Sequence, residues 1–99
     1  MRPIHVVNLD KPRPAVLLTR EYVVPGLTSV TVAPITSTVR GLSTEVSVDE
    51  SNGLDQPGVI SCDNVVTVSK DTLGRRIGFL LPHQEPLLAE AIRIAYDLD

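Results

Sequence analysis

The chain reads as a mostly β domain capped by one C-terminal helix, arranged as a small, partly open antiparallel barrel, and three observations predict it. Valine and threonine dominate the first two thirds, in short runs of strand length. Turn pairs, among them Pro25-Gly26, Asn52-Gly53 and Pro57-Gly58, punctuate those runs. After Gln84 the apolar spacing changes from two residues to three and four.

"IHVVNL" reads as a first strand and "AVLLT" as a second, buried on both faces or nearly so. "TSVTVAPI" alternates from Thr28 to Val32 as a half-buried strand does. "LSTEVSV" alternates again, with Leu42, Thr44, Val46 and Val48 on one face. "GVISCDNVVTV" is an apolar run broken at Asp63-Asn64, and "IGFLL" closes the series, for six or so strands. "SKDTLGRR" suits a short helical turn capped by Ser69 and ended by Gly74. The tail "EPLLAEAIRIAYDLD" predicts one helix, with Pro86 in its first turn and Leu87, Leu88, Ala91, Ile92, Ala95 and Leu98 on one face.

Ninety-nine residues support a single core, so residues 1–99 are expected to form one domain. No segment approaches the roughly 18 apolar residues of a membrane helix, and the first ten residues lack the features of a secretory signal. The lone Cys62 forms no internal disulfide, so a cytoplasmic location is expected. Net charge is −3, which argues against a broad basic nucleic-acid surface. That acidity resides in the tail, however: Glu85, Glu90, Asp97 and Asp99 face only Arg93, while residues 1–81 balance eight acids with eight bases. A local group of arginines can still hold a few phosphates.

His5, His83 and Cys62 lie far apart and show no zinc-ligand spacing, and no phosphate-cradling glycine loop is present. Cys62 reads as a small core residue. A histidine pair acting as base and acid in RNA cleavage is disfavoured, since His83 opens the helix and His5 has apolar strand neighbours.

Two stretches stand out. "KPRPA" pins Arg13 between Pro12 and Pro14, which restricts the backbone on both sides of a permanent charge. The residue types suit either a solvated strand entrance or a guanidinium held in a narrow range of directions. "APITSTVRG" places Thr36, Ser37 and Thr38 before Arg40, with Gly41 to reverse the chain. Its hydroxyls are explained by a strand-end turn, but the adjoining arginine is not. Arg40 suits a phosphate contact or an exposed strand-end charge equally, and Arg75 and Arg76 read as a solvated turn or an interface.

Taken together, "RPAVLLT" at 13–19, "VAPITSTVRGLSTEV" at 32–46, "GVISCDNVVTV" at 58–68 and "LGRRIGFL" at 73–80 resemble the MazF (PemK-like) endoribonuclease toxins of toxin–antitoxin pairs. The match in order and spacing spans nearly the whole chain. The resemblance implies a small SH3-like antiparallel barrel of the type shared with CcdB. It implies a toxin that cuts single-stranded RNA sequence-specifically, without metal or other cofactor, leaving 2′,3′-cyclic phosphate and 5′-hydroxyl ends. Arg13 and Thr36 match the catalytic pair. Asp63 and Asn64 match the acid and amide that line the RNA channel, with Ser37 and Arg40 as further RNA contacts. The implied partners are a second copy of the chain and an acidic, MazE-type antitoxin. The chain departs from the family pattern in its short "NLDKP" connection and in the absence of an aromatic residue from the first strand. The rival is a gyrase-poisoning toxin on the same barrel, or an inactive interaction module. The tail "AYDLD" lacks tryptophan and is acidic, which disfavours the gyrase reading.

Overall fold

The computed structural model describes all 99 residues. Seven strands are present: β1 (Pro3–Asn8), β2 (Pro12–Leu17), β3 (Ser29–Thr36), β4 (Glu45–Val48), β5 (Gly58–Ser61), β6 (Val66–Ser69) and β7 (Leu73–Phe79). One helix, α1 (Glu85–Ala95), follows. All pairings are antiparallel, in the order β4-β5-β3-β2-β1-β7, with β6 added beside β3. The outer strands β4 and β7 do not pair, so the sheet curls without closing.

β3 organises this topology. One edge pairs with β2, while the other pairs with β6 through Ser29–Val32 and with β5 through Ile35 and Thr36. Pro34 falls in the gap between those two pairings, where its missing N–H leaves no ladder bond unmade. A 3-10 turn, Cys62–Asn64, carries the chain across the gap from β5 to β6. The expected single run at 58–68 is therefore two strands, and its polar break is the crossing point.

The core lies on both faces of β2. Val16 packs with Ile4, Ala33, Ile60, Leu80 and Leu88 beneath the helix, while Ala15 and Leu17 pack with Val7, Val30 and Val32 on the opposite side. A strand covered on both faces needs no polar alternation, which accounts for its unbroken apolar run.

Other differences are local. β2 begins at Pro12, earlier than expected, so Arg13 lies within the strand opposite Val7. β7 begins at Leu73, because the 3-10 turn capped by Ser69 spans only Lys70–Thr72. Arg75 and Arg76 are thus strand residues and not part of a solvated turn. β4 starts at Glu45; Thr44, Val46 and Val48 are buried as expected, but Leu42 lies in the preceding loop, exposed. On the helix Leu88 and Ala91 are buried, Ile92 and Ala95 pack beside them and Leu87 faces solvent; Leu98 lies beyond the helix end at Ala95 and is also exposed. The helix buries a narrower stripe than its apolar spacing suggests because it rests against one edge of the sheet. No helix is long and apolar enough to cross a membrane.

Candidate RNA-binding and catalytic site

The register of β2 and β3 brings the two principal candidates together. Ala15 stands opposite Pro34. The ladder between the two strands ends there, and Arg13 and Thr36 each lie two residues beyond that pair at the same end of the sheet. Both line a groove of about 820 Å³ and a second groove of about 460 Å³, and so form the ridge between the two. Ser37 lies on the larger groove, and Arg40, Asp63 and Asn64 lie on the smaller one. All six candidate residues border one or both of these two adjoining grooves.

Arg13 is held by more than its prolines. Its Nε donates to Asp10 Oδ1 at 3.0 Å and its Nη2 to Asp10 Oδ2 at 3.2 Å. This fork takes one edge of the guanidinium and leaves the Nη1–Nη2 edge free to donate elsewhere. Hydrogen bonding to Arg13 pulls the Asp10 carboxyl down to about 2, and the same contact raises the Arg13 pKa. The side chain is 35% exposed on a residue that borders the groove, and its ion pair with Asp10 lies outside the core. The prolines' part in this is legible in the residue types, whereas that of Asp10 is not singled out by them. The available signal is an acid three residues before an arginine, in a connection too short to carry it away.

Thr36 Oγ1 accepts from the Thr38 N–H at 3.1 Å, a turn contact that leaves the hydroxyl hydrogen free. Its backbone sits close to β5: a Cβ on Gly58 would lie 2.6 Å from the Thr36 carbonyl oxygen. Only glycine at 58 permits this approach, so the loop 53–58 closes against the site without displacing Thr36.

The smaller groove is furnished by the β5–β6 crossing. Thr44 Oγ1 donates to Asp63 Oδ2 at 2.6 Å, and Asn64 Nδ2 donates to Ser61 Oγ at 2.7 Å. One carboxylate oxygen of Asp63 and the carbonyl oxygen of Asn64 keep accepting capacity for a ligand. Glu45 is committed inward, its carboxylate accepting from the Arg40 and Leu42 N–H groups. Those bonds shape the loop that carries Arg40, whose guanidinium has no acidic partner.

The wall of the larger groove is braced from behind by a buried amide pair. Asn52 Nδ2 donates to Gln84 Oε1 at 2.7 Å and to the Phe79 carbonyl at 3.0 Å. Gln84 Oε1 also accepts from the Leu81 N–H at 2.9 Å, so the wall, β7 and the helix entrance share one network. Sequence reasoning missed both amides, because nothing local marks Asn52 as buried.

His5 and His83 line neither groove. His5 serves the sheet instead, its Nδ1–H donating to the Gly74 carbonyl at 3.0 Å and fastening β7 to β1. Cys62 is buried, and loss of solvation, with Asp63 adding repulsion, pushes its thiol up to about 11. No three His, Cys, Asp or Glu side chains converge anywhere in the chain.

Residues 5–96 match the family described as PemK-like, MazF-like toxin of type II toxin–antitoxin system. The chain is 66% identical over 99 residues to Endoribonuclease MazF3 of Mycobacterium tuberculosis, covering all of this chain and 96% of that protein. The solved structure of the Mycobacterium tuberculosis toxin MazF-mt6 superposes with a TM-score of 0.97 at 65% identity, covering 99% of each chain. A mycobacterial endoribonuclease solved in complex with its cognate antitoxin shares the fold, with a TM-score of 0.87 at 23% identity over 98% of this chain and 93% of that one. The family match over residues 5–96, the 66% identity over the full chain and the close superposition make this chain a member of the MazF-like, PemK-like toxin family of type II toxin–antitoxin systems.

Proposed function

We infer that this toxin is an endoribonuclease that cuts single-stranded RNA by attack of a 2′-hydroxyl on its neighbouring phosphate, without a metal. The observation that carries this is the placement of Arg13 and Thr36 on the ridge shared by the two grooves. An extended strand crossing from one groove to the other would lay one phosphodiester over that ridge.

In-line attack by the 2′-oxygen forms the cyclic phosphate as the P–O5′ bond breaks. The 2′-hydroxyl gives its proton to solvent, the departing 5′-oxygen takes one from water, and negative charge builds on the non-bridging oxygens in between. The free Nη1–Nη2 edge of Arg13 can donate two parallel hydrogen bonds to those oxygens, and the group stays cationic throughout. Prolines on both sides and a two-point hold by Asp10 fix that edge before the substrate arrives. Little of the binding energy is then spent on ordering it. The Thr36 hydroxyl, free to donate, adds a neutral hydrogen bond to the same phosphate or orients the attacking oxygen. An arginine with raised pKa is a poor base, so Arg13 acts by stabilising charge. Ser37 and Arg40 hold the flanking backbone, while Asp63 and Asn64 present acceptors to base edges. With no aromatic residue on either groove, stacking plays a smaller part here than in most single-strand binders.

A proteic antitoxin is the expected partner of a type II toxin, and an acidic segment of it would compete with RNA for the same arginines. A second copy of this chain would cover the open edges of β4 or β7 and extend the grooves. The test is to incubate the purified protein, with chelator, with a mixed-sequence RNA pool and to map the cut ends chemically. Cuts at one motif bearing cyclic phosphate, lost in Arg13→Ala, are the expected result. Cutting that persists in Arg13→Ala overturns the assignment, and absence of cutting together with altered DNA supercoiling supports the gyrase rival.

A further inference from the structure

The two grooves differ in charge, and the difference assigns them different roles. Around the larger groove stand Lys11, Arg13, Arg75 and Arg76 against one acid, Asp55. Around the smaller, Arg13 and Arg40 are balanced by Glu45 and Asp63. Lys11, Arg75 and Arg76 form no ion pair with any acidic side chain. The groove's lining is therefore net positive, and an anion placed in it is favoured.

β7 is shaped to present them. Its register against β1 slips twice, between Ile4 and His5 and again between His5 and Val7, around the position where His5 faces Arg76. Such bulges increase local twist and re-aim side chains at a sheet edge. Here Arg75, Arg76 and Ile77 are brought to the groove wall, with His5 holding the Gly74 carbonyl. The Arg76 guanidinium stacks 4.7 Å from the Phe79 ring centre, which restrains it without neutralising it.

We propose that Lys11, Arg75 and Arg76 form a phosphate clamp that grips the RNA backbone on one flank of the cut, independently of sequence, while the charge-balanced groove reads bases through Asp63 and Asn64. The clamp rests on the nuclease reading for its substrate, but its own signature is salt dependence. Each phosphate neutralised on a single strand contributes about 0.7 to the slope of log affinity against log salt.

The test follows a fluorescent mixed-sequence 2′-O-methyl RNA, which lacks the attacking hydroxyl, by anisotropy across a range of salt concentrations. For R75S/R76S the slope is expected to shrink by about 1.4, which corresponds to about a 25-fold loss of affinity near 0.1 M salt that vanishes toward 1 M. R75K/R76K, which keeps both charges, is expected to retain the wild-type slope. On cleavable RNA, R75S/R76S should keep the wild-type pattern of cut sites at a uniformly reduced rate. An unchanged slope in R75S/R76S, or an altered set of cut sites, overturns the clamp. Failure of the underlying reading has a different appearance: Arg13→Ala still cuts, or the wild type cuts nothing, whatever the binding slopes show.

Discussion

Arg13 and Arg40 border the same groove, carry the same charge and sit on backbones built in opposite ways. Arg13 lies in a central strand, between two prolines, with its head forked onto Asp10. Arg40 lies in the loop between β3 and β4, where the backbone is shaped by Glu45 and the guanidinium is free. A group that stabilises a transition state gains by being placed beforehand, since ordering it during the reaction would raise the barrier. A group that only holds substrate can adapt, because its contribution is equal before and during reaction. The contrast separates chemistry from grip among residues of one type.

The sharpest way to break the comparison is to remove each arginine in turn. Arg13→Ala should lower kcat by about 10³-fold or more while leaving thermal unfolding nearly unchanged, because the side chain is outside the core. A loss confined to KM would put Arg13 in the same class as Arg40. Thr36→Val keeps the branched shape of the strand residue but removes its hydroxyl, and should reduce kcat by about 10²-fold in single-turnover assays. Retention of full rate there would leave Thr36 with only its turn contact to Thr38.

Asp10→Asn tests whether the fork matters as well as the prolines. It should cost about tenfold in kcat with KM within about twofold, as expected for a misplaced rather than a missing cation. The pH dependence follows from the same pair. The folded pKa of Asp10, about 2, lies below its ordinary 3.8, so the ion pair is complete above the ordinary value and is lost as pH falls through about 2. Wild-type pH–rate profiles should therefore show no limb from this group above about pH 4. A carboxyl titration followed by NMR that puts Asp10 near its ordinary value would remove the fork from solution. The smallest effect is expected for Arg40→Ala: KM a few-fold higher, kcat little changed, and the salt slope smaller by about 0.7. A large fall in kcat would erase the distinction between the two arginines.

The stretches legible in sequence are those whose chemistry is local. Two prolines restrict Arg13 whatever surrounds them, and the Thr36 turn is written in three successive hydroxyls. Alternation and apolar spacing mark most strands and the helix, because solvent exposure imposes those periods along the chain. Leu42 and Leu98 are misplaced by that logic: periodicity identifies a face but not how much of it a neighbour covers. Arg75 and Arg76 escape it because a glycine followed by two arginines looks like a turn, whereas β1 holds them in a bulged strand.

By itself the sequence determined which residues are stiff, which are apolar at regular spacing and which carry permanent charge; these are properties of single side chains and their immediate neighbours. Tertiary structure alone decided that Arg13 and Thr36 share both grooves, that Asp10 turns back onto Arg13, that Asn52 meets Gln84, and that four cations gather on one groove while the other stays balanced. Each of these depends on strand register or on the meeting of distant segments. Pairing energies are summed over a whole sheet, and no short stretch contains them.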